Sequence, residues 1–279
     1  MSKLNRDVLY LILEEFQNDK KSLYSCLLVN ETWCNTIVPI LWKNPWKYLK
    51  QKTKPLLLNV IISHLSNKIK ENIKIQDIRI SQEKPLFNYI SFCRYLDLRM
   101  LEKMISDCAF EKSRKSILRN EIFNLFINEN TKFTHLYVPD DQIHLIPGAK
   151  HCFSELAFLG CSANINDNVL AGLTEMCKSI KELKISIIGD CVNNNNHRIL
   201  KLIKGSQKLY KLELESRRDE TWNFLKNLSL PFLQVLWAKA VPVEILTSLI
   251  ESTNGCLTEI SIIHIYHEEV DNKRIIQAI

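Results

Sequence analysis

Along the second half of the chain, apolar residues recur in the spacing apolar-x-x-apolar-x-apolar. The matches are Phe133/Leu136/Val138, Phe153/Leu156/Phe158, Ile180/Leu183/Ile185, Leu209/Leu212/Leu214, Leu233/Leu236/Ala238 and Leu257/Ile260/Ile262. Each fits a short strand with alternate residues buried. With the middle residue as anchor, the steps are 156−136 = 20, 183−156 = 27, 212−183 = 29, 236−212 = 24 and 260−236 = 24. Between anchors the period changes to that of a helix. Asp167 is placed to cap a helix whose stripe is Leu170, Leu173 and Cys177. Ile199, Leu202 and Ile203 form a second stripe ending near Gly205, and Ile245, Leu246, Leu249 and Ile250 a third between Pro242 and Gly255. The predicted unit is strand, turn, helix, turn.

Steps of roughly 20–29 residues are those of leucine-rich repeats. A lone strand-helix unit cannot bury its apolar face, so such units stack and their anchors form a continuous ladder. The expected fold is α/β, a right-handed solenoid with a parallel sheet on the concave face and helices on the convex face. Gly160-Cys161 after a strand, Ile165-Asn166-Asp167 at a turn and Cys177 at a helix end resemble the cysteine-containing repeats of F-box proteins. That resemblance implies thiols used as small buried packing groups. Residues between the anchors face away from the core, which assigns contact with a bound protein to Tyr137, Glu155, Lys184, Lys211, Glu213 and Trp237. Trp237 is the leading anchor; its other reading is packing against a terminal flap.

The first forty residues are patterned differently. Val8, Leu11, Ile12 and Phe16, with Leu9 and Leu13 beside them, give a short helix an unusually broad apolar surface. A second stripe runs Leu23, Cys26, Leu27, and a third element carries Trp33, Ile37 and Trp42 around a helix-ending Pro39. Three helices this short borrow burial from a partner. The order of residues is similar to the F-box, the segment by which substrate receptors bind the Skp adaptor of SCF ubiquitin ligases. The matches are Leu4 at its start, Val8-Leu9, Ile12-Leu13, Phe16, Leu23, Cys26, Val29, Trp33 and the closing Leu41-Trp42. Asn5 stands where the family usually has proline, and can cap the helix that follows. The resemblance implies that these residues, with Leu27, bind the adaptor and, through it, a cullin.

The organisation expected is an F-box segment over 1–44, a connector with degenerate early repeats over 45–130 and a repeat array over 131–279. Within the connector, Ile75/Ile78/Ile80 and Cys93/Leu96/Leu98 repeat the strand spacing, Leu56 to Leu65 and Ile117 to Ile127 pattern as helices, and Pro45 to Pro55 is a packed link. The acidic run after the last anchor leaves three readings of the end of the chain: a truncated product, a naturally short receptor, or a final helix over Asp271 to Ile279 that caps the array.

Composition narrows the chemistry. The 279 residues are 46% hydrophobic and 24% charged, and a formal charge of +6 from 37 basic and 31 acidic residues is too mild and dispersed for a polyanion-binding footprint. The amino end is too short and too charged for a signal peptide, and no apolar run approaches the ~20 residues of a membrane helix. Nine cysteines without a secretory signal read as reduced thiols, hence a cytoplasmic or nuclear protein. Cys152, Cys161, Cys177 and Cys191 lack the close pairing of a zinc site, and His264 and His267 beside Glu268, Glu269 and Asp271 read as a solvated turn. Asn193 to Asn196 reads as a polar loop. There is no phosphate-cradling Gly-rich loop and no G-x-S-x-G elbow, so neither catalysis nor a cofactor is expected. The expected role is a non-catalytic receptor that holds a target protein beside a ubiquitin-charged enzyme; the alternative is a leucine-rich scaffold with no ubiquitin role.

Overall fold

A computed structural model describes residues 5–72, 84–139, 142–187, 196–206, 208–216, 222–226, 228–263 and 269–278. The chain divides into two compact units, Met1–Phe133 and Thr134–Ile279. It is an α/β protein.

The first unit opens with α1 (Arg6–Glu15), α2 (Lys20–Cys26) and α3 (Glu31–Lys43). Each begins at a polar cap: Asn5 accepts from the Asp7 N–H, Asp19 from the Ser22 N–H and Asn30 from the Trp33 N–H. These side chains satisfy amide donors that a helix start otherwise leaves orphaned. Asn5 thus supplies the cap expected of it. Pro39 does not end the third helix as expected. It lies inside α3, which continues to Lys43. Ile37, Val38 and Ile40 on either side of it are buried, and that packing outweighs the missing amide donor.

The three helices close a small core of their own from Leu9, Leu13, Leu23, Ile37 and Ile40, with Cys26, Leu27, Trp33 and Leu41 packed against it. In the link after α3, Trp46 Nε1 donates to the Tyr95 carbonyl at 2.6 Å, while Lys47, Tyr48, Lys50, Gln51, Lys52 and Pro55 are exposed. Next come α4 (Lys54–Ser63), α5 (Asn67–Asn72), α6 (Tyr89–Phe92), β1 (Tyr95–Asp97), α7 (Leu98–Ser106) and α8 (Lys112–Phe126). Strand β1 falls on the predicted Cys93/Leu96/Leu98 triple, all three residues of which are buried. Ile75, Ile78 and Ile80 lie outside the described residues.

The second unit alternates strand and helix: β2 (His135–Tyr137), α9 (Ala149–Cys152), β3 (Phe158–Ser162), α10 (Asp167–Met176), β4 (Glu182–Ile187), α11 (Asn196–Gly205), β5 (Lys211–Ser216), β6 (Val235–Lys239), α12 (Val243–Glu251), β7 (Glu259–Ile263) and α13 (Glu269–Ala278). Strands β2 to β7 pair in sequence order and all parallel. Parallel neighbours need crossovers, which the helices and the Asn223–Leu225 turn provide.

The register corrects one repeat. Leu136 is opposite Leu159, not Leu156, and the row continues through Leu183, Leu212, Leu236 and Ile260. The second triple is therefore Leu156/Leu159/Cys161. The steps become 159−136 = 23 and 183−159 = 24, followed by the 29, 24 and 24 already noted. Phe153, Leu156 and Phe158 also fit the six-residue spacing, but Phe153 closes α9 and Phe158 lies on the opposite face from Leu159.

Two turn details also shift. Gly160-Cys161 lies within β3 rather than after it. Asn166, not Asp167, caps α10, accepting from the Asn168 N–H at 2.9 Å. Cys177 ends α10 as expected. Helix α13 packs on α12 through buried Ile275 and a 2.9 Å ion pair between Arg274 and Glu244. Glu269 and Asp271, expected in a solvated turn, stand in α13, while His264, His267, Glu268 and Cys191 lie outside the described residues.

Candidate functional site

Two surfaces carry unusual side chains, one in each unit. The first lies on the opening helices. Leu9, Leu13 and Leu23 are 1% exposed, so they are spent on the segment's own core and not on a partner-facing surface, which corrects their expected role. Cys26, Leu27, Trp33 and Leu41 are half-buried against that core. Trp42 stacks on Tyr89, with ring centroids 4.5 Å apart. Leu4 lies outside the described residues.

What remains outside is the other half of the same amphipathic pattern. Val8, Ile12, Phe16 and Val29 are exposed, and with them Leu11 at 63%, Tyr24 at 52% and Leu28 at 89%. Tyr24 and Leu28 were not among the expected contacts. They could have been found from the pattern, because they flank the Leu23/Cys26/Leu27 stripe on the side that the core does not use.

The second surface is the face of the sheet opposite the leucine row. Tyr137, Gly160, Lys184, Glu213, Trp237 and Ser261 follow one another across β2 to β7, and Phe158, Glu182, Lys211, Val235 and Glu259 form the adjacent row. Five of the six expected contacts are therefore brought together. Glu155 is not, because it sits in an exposed turn before β3; Phe158 and Gly160 take the strand positions it was given. The repeat slip caused both errors.

At the β2 end this face is aromatic. The Phe158 ring lies 4.9 Å from that of Tyr137 and 5.5 Å from that of His135. From β4 onward it is charged in alternation. Lys184 pairs with Glu213 at 3.4 Å and Glu215 at 3.5 Å, Lys211 with Glu213 at 3.0 Å and Glu182 at 3.7 Å, and Lys239 with Glu215 at 3.1 Å. The Tyr210 hydroxyl donates to Glu182 at 2.8 Å, and the Lys184 ammonium lies 5.3 Å from the centre of the Trp237 ring.

Titration follows from these contacts. Burial pushes the Glu215 carboxyl up, but the Lys239 hydrogen bond and the charges of Lys184 and Lys239 outweigh it and hold it below the ordinary value. Burial pulls the Lys211 ammonium down, and its bond to Glu213 with the charges of Glu213 and Glu182 leaves it above the ordinary lysine range. The bond to Glu182 raises the Tyr210 phenol. A depression of about 370 Å³ lies beside this network, lined by Glu182, Tyr210, Lys211, Glu213, Trp237, Glu259 and Ser261 among others. Its carboxylates, ammoniums, phenol and indole can hydrogen-bond, ion-pair and stack with a polypeptide.

Among the described residues, no three His, Cys, Asp or Glu side chains group as metal ligands, and no helix is long and apolar enough to cross a membrane. Compared with known proteins, the chain matches no family model and no curated protein.

Proposed function

We propose that this chain is the substrate-recognition subunit of an SCF-type cullin-RING ubiquitin ligase, with its opening helices binding a Skp-type adaptor and its strand-helix units, read as leucine-rich repeats, binding the target. The observation that carries the reading is the apolar face Val8, Leu11, Ile12, Phe16, Tyr24, Leu28 and Val29, left in water although the helices beneath it have already closed a core. Uncovered apolar surface on a small element marks an interaction site. The pattern of an F-box supplies the occupant.

The sheet face supports the second half of the reading. Its self-paired charges leave half-buried Trp237 and exposed Glu259 as groups with capacity for a target. The receptor makes no bond itself; it raises the effective concentration of a target lysine beside the charged enzyme. The free cysteines of the described residues suit a cytosolic or nuclear setting.

The test is copurification of the tagged full chain with a Skp-type adaptor and cullin. Ile12→Asp with Leu28→Asp should cut adaptor capture by about 100-fold or more, as expected when interface anchors are replaced by charge, while the circular dichroism spectrum stays unchanged. A wild-type chain that brings down no adaptor leaves a leucine-rich interaction scaffold, a reading the sheet face would support alone.

A further inference from the structure

The parallel sheet ends at β7, which has β6 on one side and, among the described residues, no strand on the other. The Glu259 N–H donates to the Gln234 carbonyl at 3.0 Å, and the Ile263 carbonyl accepts from the Ala240 N–H at 2.9 Å. Backbone groups of successive strand residues aim at opposite edges, so the N–H and C=O of Ile260 and Ile262 point away from β6. Their side chains are half-buried, whereas Leu212 and Leu214 on β5, and Leu236 and Ala238 on β6, in the same rows, are buried. The strand has neither the lysine nor the proline with which sheet edges are guarded against pairing.

This edge is complementary to itself. Turned about a twofold axis at Ser261, a second copy lies antiparallel, with Ile260 opposite Ile262 of the other copy. Those two residues exchange both backbone bonds, as a hydrogen-bonded antiparallel pair does. Ser261 meets Ser261, and Glu259 lies opposite Ile263, so no like charges face each other. The charges also match across the seam. Glu259 is exposed and, among the described residues, has no ion pair. Lys239, beside Ile263 on β6, pairs with Glu215 at 3.1 Å and keeps 42% of its side chain exposed. In the antiparallel pair one row runs Lys239, Ile263 and then Glu259 of the other copy, two strand spacings of about 4.8 Å from base to acid. Both long side chains then close over Ile263, which is 45% exposed in the single chain. Parallel apposition in the same register would set Glu259 against Glu259.

We propose that β7 is a dimer interface, where two copies of this chain pair antiparallel about Ser261 and join their sheets into one. The self-complementary register and the match of Glu259 to Lys239 favour a second copy over an unrelated extended segment. Such an interface is isologous, so it uses up the edge and closes at two copies. It uses none of the opening-helix residues and stands whether or not these bind an adaptor.

The experiment is sedimentation equilibrium of the full chain at micromolar concentrations, wild type against Ser261→Lys, Ser261→Glu, Glu259→Lys and the pair Ile12→Asp with Leu28→Asp. Wild type should reach the mass of a dimer and go no further. Ser261→Lys and Ser261→Glu each set like charges directly opposite at the axis. Each should raise the dissociation constant about tenfold, equivalent to about 1.4 kcal/mol. An equimolar mixture of the two should dimerise again, which misfolded variants cannot do. Glu259→Lys should weaken the dimer, and the opening-helix pair should dimerise like wild type. A wild-type chain that stays monomeric leaves the edge to some other strand and overturns the proposal. Association that Ser261→Lys or Glu259→Lys leaves intact, a mixture that stays monomeric, or a dimer lost in the opening-helix pair overturns it equally.

Discussion

The ring of Tyr137 lies over Gly160, its partner across the β2–β3 ladder, so closely that a Cβ built on Gly160 would collide with Cδ1 and Cε1 of that ring. Gly160 is therefore required for space. Gly160→Ala should destabilise the protein by about 1–3 kcal/mol, the usual cost of overpacking, read from the urea midpoint. Tyr137→Ala in the same chain should recover part of the loss, because residues in contact couple and their effects do not add.

The opening helices sort their apolar residues into two classes that stability measurements separate. Leu13 is buried in the three-helix core, whereas Leu28 is 89% exposed. Leu13→Asp buries a charge without a partner and should cost about 4 kcal/mol or more. Leu28→Asp should change stability by less than about 0.5 kcal/mol, as surface substitutions do. Thermal unfolding followed by circular dichroism checks both. Loss of partner binding in Leu13→Asp would report unfolding alone, which makes Leu28 the informative position.

The strand ladder was legible in the sequence because inward residues of a parallel strand repeat with a fixed period, and five of the six anchors stand where spacing put them. The sixth slipped by three residues because Phe153, Leu156, Phe158 and Leu159 are all apolar and all buried. Helix end, turn and aromatic outer face meet there, and burial has several sources. Pro39 misled for the converse reason: local propensity ends a helix, and tertiary packing carries it on. The cross-strand charge network was hidden altogether. Its partners, such as Lys184 and Glu213, are 29 residues apart (213−184 = 29), and only the register makes them neighbours.

Thiol reactivity should follow burial. Burial pushes the Cys177 thiol up to about 12, so almost no thiolate, the reactive form, exists at pH 8. Cys152 and Cys161 are also buried, and Cys256 is exposed. Brief treatment of the native chain with iodoacetamide, followed by peptide mass spectrometry, should label Cys256 and leave Cys152, Cys161 and Cys177 unmodified until denaturant is added. Early labelling of Cys177 would show that α10 does not cover it.

Glu215 predicts an acid dependence. Its folded carboxyl is held below the ordinary value of 4.5, so folding favours the ionised form. The unfolded chain takes up the proton first as pH falls. The contribution is therefore fully present above pH 4.5 and is lost as pH drops through the lower folded value. Because the pairs with Lys239 and Lys184 are partly exposed, it should amount to less than about 1 kcal/mol and shrink in high salt. Lys211 has the opposite sign: its stabilisation is complete below the ordinary 10.5 and is lost as pH rises through its raised folded value. Urea midpoints across pH, compared with Glu215→Gln, should converge with wild type at the acid end and separate at neutrality. A gap of the same size at every pH would mean that the glutamate contributes packing rather than charge.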